Sequence, residues 1–255
     1  MSRVLVTGGT GVLGSRVASR LGSRGHEVRI LSRRGADQWA GGAAVFTGEL
    51  RSGRGLERAV AGIDAIVHCA SAVWRARTTE VDGMRNLIAA TGAARPHLIY
   101  ISIVGVDRIP YFYYRAKRDA ERILGRSEQP WTILRATQFH SLISRYALGR
   151  VIASPKGARA QLIDASEVAD RLTELVDAGP SGRVPDIGGP EILSLRDVAR
   201  LQREILDRRL IVMELPLPGK TARAFARGDN LCPDQAVGRI NYAEYLESLK
   251  LSGTG

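Results

Sequence analysis

Apolar residues in this chain alternate between short continuous runs and longer stretches where they recur every three or four positions. Val4-Leu5-Val6 is the first run, and Val12, Leu13, Val17 and Leu21 then share one face of a helix. Gly25-His26 ends that helix, and 27–31 reads as a second strand. Runs at 44–46, 65–70, 97–104 and 131–135 predict strands three to six. Between them, 56–60 reads as a short helix, Val81, Met84, Leu87, Ile88 and Thr91 mark a helical face, and 113–124 predicts a helix carrying Lys117, Ala120, Ile123 and Leu124. The run at 65–70 is almost wholly apolar, as strands covered on both faces are. Strand–helix alternation of this kind predicts an α/β chain: a Rossmann-type, doubly wound parallel sheet with right-handed crossovers.

Beyond residue 136 the alternation loosens. The stretch 166–176 is helical, with Val168, Leu172, Leu175 and Val176 inward and Asp164 with Glu167 as its capping box. Ser194 is placed to cap a helix over 194–206 that turns Val198, Leu201 and Ile205 inward. Proline and glycine crowd 215–232, which reads as loop with a short helix. No separate core is evident here. The expected division is a coenzyme-binding core over 1–135 and a small C-terminal substrate-binding region over 136–255 that leans on it and forms a cleft.

Composition changes this picture little. With 255 residues, 44% of them apolar, the chain fits one compact unit. It has no run of 18 apolar residues, so no spanning helix is expected. Met1 leads almost directly into the first strand, and a cytoplasmic location is expected. Two cysteines make no disulfide framework, and Cys69 reads as a small core residue. The net charge of +11 raises nucleic acid as a partner. The basic residues are scattered, however, with no long basic run and no interleaved aromatic platform, so none is expected.

The densest chemistry lies at the first strand–helix junction, where Gly8, Gly11 and Gly14 are spaced Gly-x-x-Gly-x-x-Gly. In a dinucleotide site the first glycine makes the tight turn, the second admits the pyrophosphate and the third lets helix pack on strand. The helix start over Thr10, Gly11, Val12, Leu13 and Gly14 then offers amide groups and a positive dipole end to phosphate. At the end of the second strand, where an NAD site carries an acid for the ribose hydroxyl, stand Ser32, Arg33 and Arg34. A hydroxyl and two guanidiniums suit a 2′-phosphate, so the expected coenzyme is NADP(H).

Together these residues resemble the atypical and extended short-chain dehydrogenase/reductases, especially the NmrA-like NAD(P)-binding group. The resemblance is carried by Thr7-Gly8-Gly9-Thr10-Gly11-Val12-Leu13-Gly14, by Ser32-Arg33, by Val81-Asp82-Gly83-Met84-Arg85-Asn86-Leu87, by Tyr100-Ile101-Ser102-Ile103-Val104-Gly105, and by Tyr113-Tyr114-Arg115-Ala116-Lys117 with Ala120-Glu121. It implies a Rossmann core with a small C-terminal substrate region. Glu49 stands where the family has an aspartate near the adenine, with Leu50 beside it. Cys69-Ala70-Ser71 replaces the family's Asn-Ala-Gly and still permits close approach to the coenzyme. The resemblance leaves three functions open: an NADPH-dependent reductase of a small aromatic or carbonyl/quinone-type molecule, a non-catalytic NADP(H) sensor, and an NAD(P)-dependent epimerase or isomerase.

For catalysis, Tyr113 and Lys117 form the Tyr-x-x-x-Lys of short-chain reductases, one helical turn apart. A phenol titrates at about 10, and a nearby ammonium brings it closer to neutrality. Tyr111 and Tyr114 flank Tyr113, and Tyr114 is an alternative cleft residue. Ser102, at the end of the fifth strand, is placed to hold a substrate oxygen. Gln138, Phe139 and His140 follow the sixth strand and are expected to border the substrate, with His140 either relaying a proton or serving in a wall. His68 reads as a satisfied core histidine, and Trp74 and Phe112 as pocket or core aromatics. Four histidines and two cysteines at scattered positions offer no metal-ligand spacing. The expected partner is a small-molecule substrate, with no membrane, and a homodimer is left open.

Overall fold

The computed structural model describes residues 1–33, 42–146 and 151–253, so Arg34 lies outside the described residues. The chain builds β1 (Arg3–Thr7), α1 (Val12–Ser23), β2 (Glu27–Ser32), β3 (Ala44–Thr47), α2 (Leu56–Val60), β4 (Ala65–His68), α3 (Gly83–Thr91), β5 (His97–Ile103), α4 (Phe112–Gly125) and β6 (Trp131–Ala136). It continues with β7 (Gln138–Phe139), α5 (His140–Tyr146), β8 (Val151–Pro155), β9 (Arg159–Ile163), α6 (Ala165–Ala178), β10 (Gly182–Arg183), β11 (Ile192–Ser194), α7 (Leu195–Leu206), β12 (Ile211–Leu215), α8 (Lys220–Arg227) and α9 (Tyr242–Leu251).

The main sheet is parallel, in the order β10-β6-β5-β4-β1-β2-β3. This is the doubly wound arrangement that the alternation predicts. The winding reverses between β1 and β4, paired in register from Val4 with Ala65 to Thr7 with His68. Loops leaving two such strands diverge and open a crevice at the strand C-termini. All four residues of β4 are buried, which is why its sequence is continuously apolar up to His68.

By contact, the described residues form two compact units. One comprises Met1–Ser102, Arg115–Leu134 and Val168–Val184, the other Ile103–Tyr114, Arg135–Glu167 and Pro185–Gly255. The first is cored by Leu5, Leu31, Leu56, Ile66, Leu98 and Tyr100, among others. The second has cores of its own, correcting the expectation that the C-terminal half lacks one. Ala160, Leu162, Leu193, Val198, Tyr242 and Leu246 form one cluster, and Val106, Ile109, Tyr114 and Ala224 another. Their members are spread over short strands and distant helices, so no single sequence window shows the pattern.

Several local expectations change. Val12 opens α1 37% exposed, because the first residue of the helix turns away from the face that buries Leu13, Val17 and Leu21. The capping box at α6 forms only in part. Asp164 accepts from the Ser166 amide and hydroxyl, at 2.8 and 2.6 Å, but Glu167 accepts instead from the Arg239 amide at 2.6 Å. At α7 the box is complete and pairs Ser194 with Asp197, worth about 1 kcal/mol for a cap of this kind. The parallel pair β8 and β12 was not evident from sequence. Nor was the π-helical segment Arg77–Asp82 that leads into α3.

Candidate functional site

Three glycines shape the loop after β1. Gly8 has φ +69°, and a Cβ there would lie 2.7 Å from the Ala70 Cα. Only glycine combines that backbone with such close approach. A Cβ at Gly14 would run into the Gly8 carbonyl oxygen, so α1 packs on the turn with no room for a side chain. Gly11 is the N-cap of α1 and provides no side-chain cap, and the first turn holds no acid. The leading amides are therefore available to an anion, with the helix dipole behind them. The glycine positions and the bare helix start fit a dinucleotide pyrophosphate.

Thr7 ties this turn to the end of β4. Its hydroxyl shares a 2.6 Å hydrogen bond with His68 Nδ1, and its carbonyl accepts from the Cys69 amide at 3.2 Å. Cys69, Ala70 and Ser71 thus sit directly beside the glycine loop. Burial pushes the Cys69 thiol up to about 12, which removes it as a nucleophile at neutral pH. Burial also pushes His68 down to about 4, and the ring stays neutral. His68 is only half satisfied, correcting the expectation: Nε2 is buried with no hydrogen-bond partner among the described residues.

On the far edge, Ser32 closes β2, and its carbonyl accepts from the Gly48 amide at 2.9 Å. Arg33 follows with its side chain exposed. Glu49 accepts from Arg51 at 2.6 Å, and that guanidinium holds its carboxyl below the usual range. Leu50 is buried in the first unit's core. Asn86 fixes this turn by donating to the carbonyls of Leu50 and Arg51 at 2.8 and 2.9 Å. Asn86 lay inside a quoted motif, but its role needs the fold that brings α3 beside the loop.

The first unit also gathers the lysine site. Lys117 on α4 is 2% exposed, and its ammonium donates to the Ile101 carbonyl at 3.0 Å. The same nitrogen stands 3.1 Å from Glu80 Oε2 and 4.7 Å from the Tyr100 ring centroid. Glu80, 0% exposed, also accepts from Ser71 Oγ at 2.6 Å and from the Tyr100 hydroxyl at 2.7 Å. Burial alone would raise its carboxyl. The Lys117 ammonium, with the Ser71 and Tyr100 hydrogen bonds, outweighs that and holds it below the ordinary range. Ser102, 2% exposed at the end of β5, has a hydroxyl with no partner among the described residues. An orphaned buried hydroxyl calls for an explanation, and a bound ligand is one.

Glu80 is the residue that sequence reasoning missed. Its signal was present: it falls four positions before Met84 on the face that continues to Leu87 and Thr91, a charge on an apolar stripe.

The second unit holds Tyr113, Tyr114, Gln138, Phe139 and His140. Tyr113 and Tyr114 open α4 within an aromatic cluster, their ring centroids 6.3 Å apart. Tyr114 is buried, accepts from Gln138 Nε2 at 3.1 Å, and has its phenol pushed further up by burial. Gln138 Oε1 in turn accepts from Asn230 at 3.4 Å. Phe139 pairs with Ile163 in the small sheet β11-β9-β7. His140 is fully buried against the Tyr242 and Tyr245 rings, at 5.7 and 5.1 Å, with Nδ1 3.7 Å from Asp164. Trp74 stands 88% exposed and is no core residue. Among the described residues no cluster of side chains suits a metal ion, and no helix is long and apolar enough to cross a membrane.

The parallel order with its reversal at β1/β4, and the glycine turn beside it, define a Rossmann-type dinucleotide-binding fold. A family model for NAD(P)H-binding proteins matches residues 8–178, and the chain belongs to that family. It is 32% identical over 222 residues to a (4-alkanoyl-5-oxo-2,5-dihydrofuran-3-yl)methyl phosphate reductase of Streptomyces griseus, covering 83% of this chain and 77% of that protein. Its fold is similar to that of an NADPH-dependent quinone oxidoreductase of Escherichia coli in complex with NADPH. That likeness has a TM-score of 0.81 at 18% identity, over 97% of this chain and 99% of the other. A nucleoside-diphosphate-sugar epimerase of Staphylococcus aureus shares the fold at TM-score 0.78 and 16% identity, over 96% and 99% of the two chains.

Proposed function

We propose that this chain is an NADPH-dependent reductase of a small molecule bearing a carbonyl, conjugated carbonyl or quinone oxygen. The observation that carries the reading is the buried Ser102 hydroxyl at the end of β5, without a partner among the described residues, on the strand whose Ile101 carbonyl holds Lys117. Strand C-termini are where this fold binds ligands, and a hydroxyl left without a protein partner there suits a substrate oxygen. The similarity to a phosphate-ester reductase supports the reaction class.

NADPH supplies the hydride when bound. The glycine turn would hold the pyrophosphate, Arg33 the 2′-phosphate, and Lys117 the nicotinamide ribose. Ser102 would donate to the substrate oxygen. Tyr113, one turn before Lys117 on α4, is the proposed proton donor. Tyr114 is a poor donor, because burial makes its phenol hold the proton more tightly. Arginine, always charged and forked, matches a phosphate where the acid of an NAD site would repel it.

Steady-state loss of NADPH absorbance tests the proposal. The panel is quinones, conjugated carbonyl compounds and a (4-alkanoyl-5-oxo-2,5-dihydrofuran-3-yl)methyl phosphate. At least one substrate is expected to turn over, with Ser102→Ala lowering kcat/KM roughly 10²-fold or more, the scale of a lost oxyanion-type donor. Turnover with no net NADPH consumption would instead indicate an isomerase. Coenzyme binding with no turnover on any class would indicate a sensor.

A further inference from the structure

We infer that Glu80 is a positioning residue of the coenzyme site: it holds Lys117 as a fixed, charged ammonium and ties it to Ser71 on the loop after β4. The inference rests on the reading that Lys117 contacts bound coenzyme. It adds a residue, and a physical reason for that residue, that the Tyr-x-x-x-Lys spacing does not contain.

The geometry points one way. Glu80 is wholly buried and accepts from three groups: Ser71 Oγ at 2.6 Å on one oxygen, with Tyr100 OH at 2.7 Å and Lys117 Nζ at 3.1 Å on the other. The donors come from three places in the first unit, namely the loop after β4, the strand β5 and the helix α4. The carboxylate itself comes from the π-helical segment Arg77–Asp82. Such segments are rare and recur at functional sites, where the wider turn re-aims a side chain.

Stability alone does not explain the arrangement. A buried ion pair gains little over well-packed apolar residues of the same volume, because both charges must first leave water. What the pair does supply is a lysine that is both dry and charged. Lys117 is faced by Glu80 from the π-helical segment, by His68 and Cys69 from the end of β4, and by Tyr100 and Ile101 from β5; Glu121 follows four residues further along α4. Burial holds His68 neutral and the Cys69 thiol protonated, so neither of them adds a charge near neutral pH. Without the Glu80 charge, desolvation would drive the lysine toward the neutral amine, as buried lysines show. Ser71 extends the clamp: its hydroxyl donates to Glu80 Oε1, while the Lys117 ammonium stands 3.1 Å from Oε2.

The chain has only four lysines, Lys117, Lys156, Lys220 and Lys250, which makes the test direct. The full-length protein is labelled with ¹³C at lysine Cε, and the Lys117 signal is assigned as the one missing in Lys117→Met. Parent and Glu80→Gln are titrated from pH 6 to 11, and NADPH affinity is measured on the same samples. In the parent, Lys117 is expected to stay charged across the range, so that no lysine titration appears for NADPH affinity to follow. In Glu80→Gln, Lys117 is expected to lose its proton at least one pH unit earlier, on the order of the shifts burial imposes. NADPH affinity should then fall about tenfold across that same titration. The inference is overturned if Lys117 titrates alike in both proteins, or if its titration moves while NADPH affinity does not follow it. Failure of the underlying reading has a distinct signature, in which Lys117→Met binds NADPH as the parent does while the Lys117 signal still shifts in Glu80→Gln; that result removes the lysine from the site and Glu80 with it. Should Glu80→Gln not fold, thermal melts of Lys117→Met and Glu80→Gln/Lys117→Met replace the titration. The double variant is expected to melt higher than Lys117→Met, which leaves Glu80 buried without its cation, and equal melting temperatures would overturn the inference.

Discussion

At the scale of single residues, the site is built by side chains held in states they would not keep in water. His68 is the simplest case. Burial lowers its folded pKa to about 4 from the ordinary 6.5, so the folded ring is neutral where the unfolded ring takes up a proton. Unfolding therefore binds a proton between those values, and stability rises with pH through that window and falls on acidification. The expected effect of going from pH 7 to pH 5 is a loss of roughly 2 kcal/mol from this residue, following the 1.36 kcal/mol per unit of linkage. Denaturant unfolding of the parent and His68→Gln at the two pH values measures it. A parent no more pH-sensitive than the variant would contradict the neutral, buried ring. Residues of this kind were partly legible in the sequence. Gly8, Gly14, Ser102 and Lys117 could be picked out because their identity is what a turn, a close approach or a hydrogen bond demands. Glu80 showed only as a charge on an apolar stripe, and its role needs the knowledge that this face is buried and that three donors from separate segments converge on it.

At the scale of elements, the glycine turn depends on packing as much as on its ligand. Gly14 lies in the first turn of α1 directly over the Gly8 carbonyl, and any Cβ there must displace backbone. Gly14→Ala is expected to destabilise the protein by about 1–3 kcal/mol, the range for forcing volume into a packed contact, and to abolish measurable NADPH binding. Chemical denaturation and a coenzyme titration on the same preparation check both halves; an alanine variant that binds like the parent would show that α1 does not pack on the turn as described. Elements of the first unit were readable because β4 and β5 are apolar apart from His68, His97 and Ser102, and α1 and α3 carry their apolar residues at helical spacing. Those of the second unit were not. There β7 is two residues and β11 is three, too short to show a period. The pairing of β8 with β12 joins Val151 to Ile211 across sixty positions of sequence, a contact no local pattern encodes. The half-formed box at α6 makes the same point, since Glu167 has the right spacing but finds the Arg239 amide instead of its own helix start.

For the whole molecule, the account is a parallel sheet whose winding reverses beside a glycine turn, in a chain of the NAD(P)H-binding family. The doubly wound class followed from the order of strands and helices, since parallel strands joined by right-handed crossovers leave few alternatives. The internal cores of the second unit did not follow from that order, because their members come from strands and helices as far apart as Ala160 and Leu246. The central claim is that the turn after β1 binds NADPH and that Arg33 selects its 2′-phosphate. Calorimetric titration of the parent and of Arg33→Ala with NADPH and with NADH tests it most directly. The account predicts that the parent prefers NADPH, and that Arg33→Ala weakens NADPH about tenfold or more while leaving NADH unchanged, as loss of a charge-assisted hydrogen bond would. Equal affinity of the parent for the two coenzymes would contradict the 2′-phosphate assignment, and no heat from either at millimolar concentration would contradict the account as a whole.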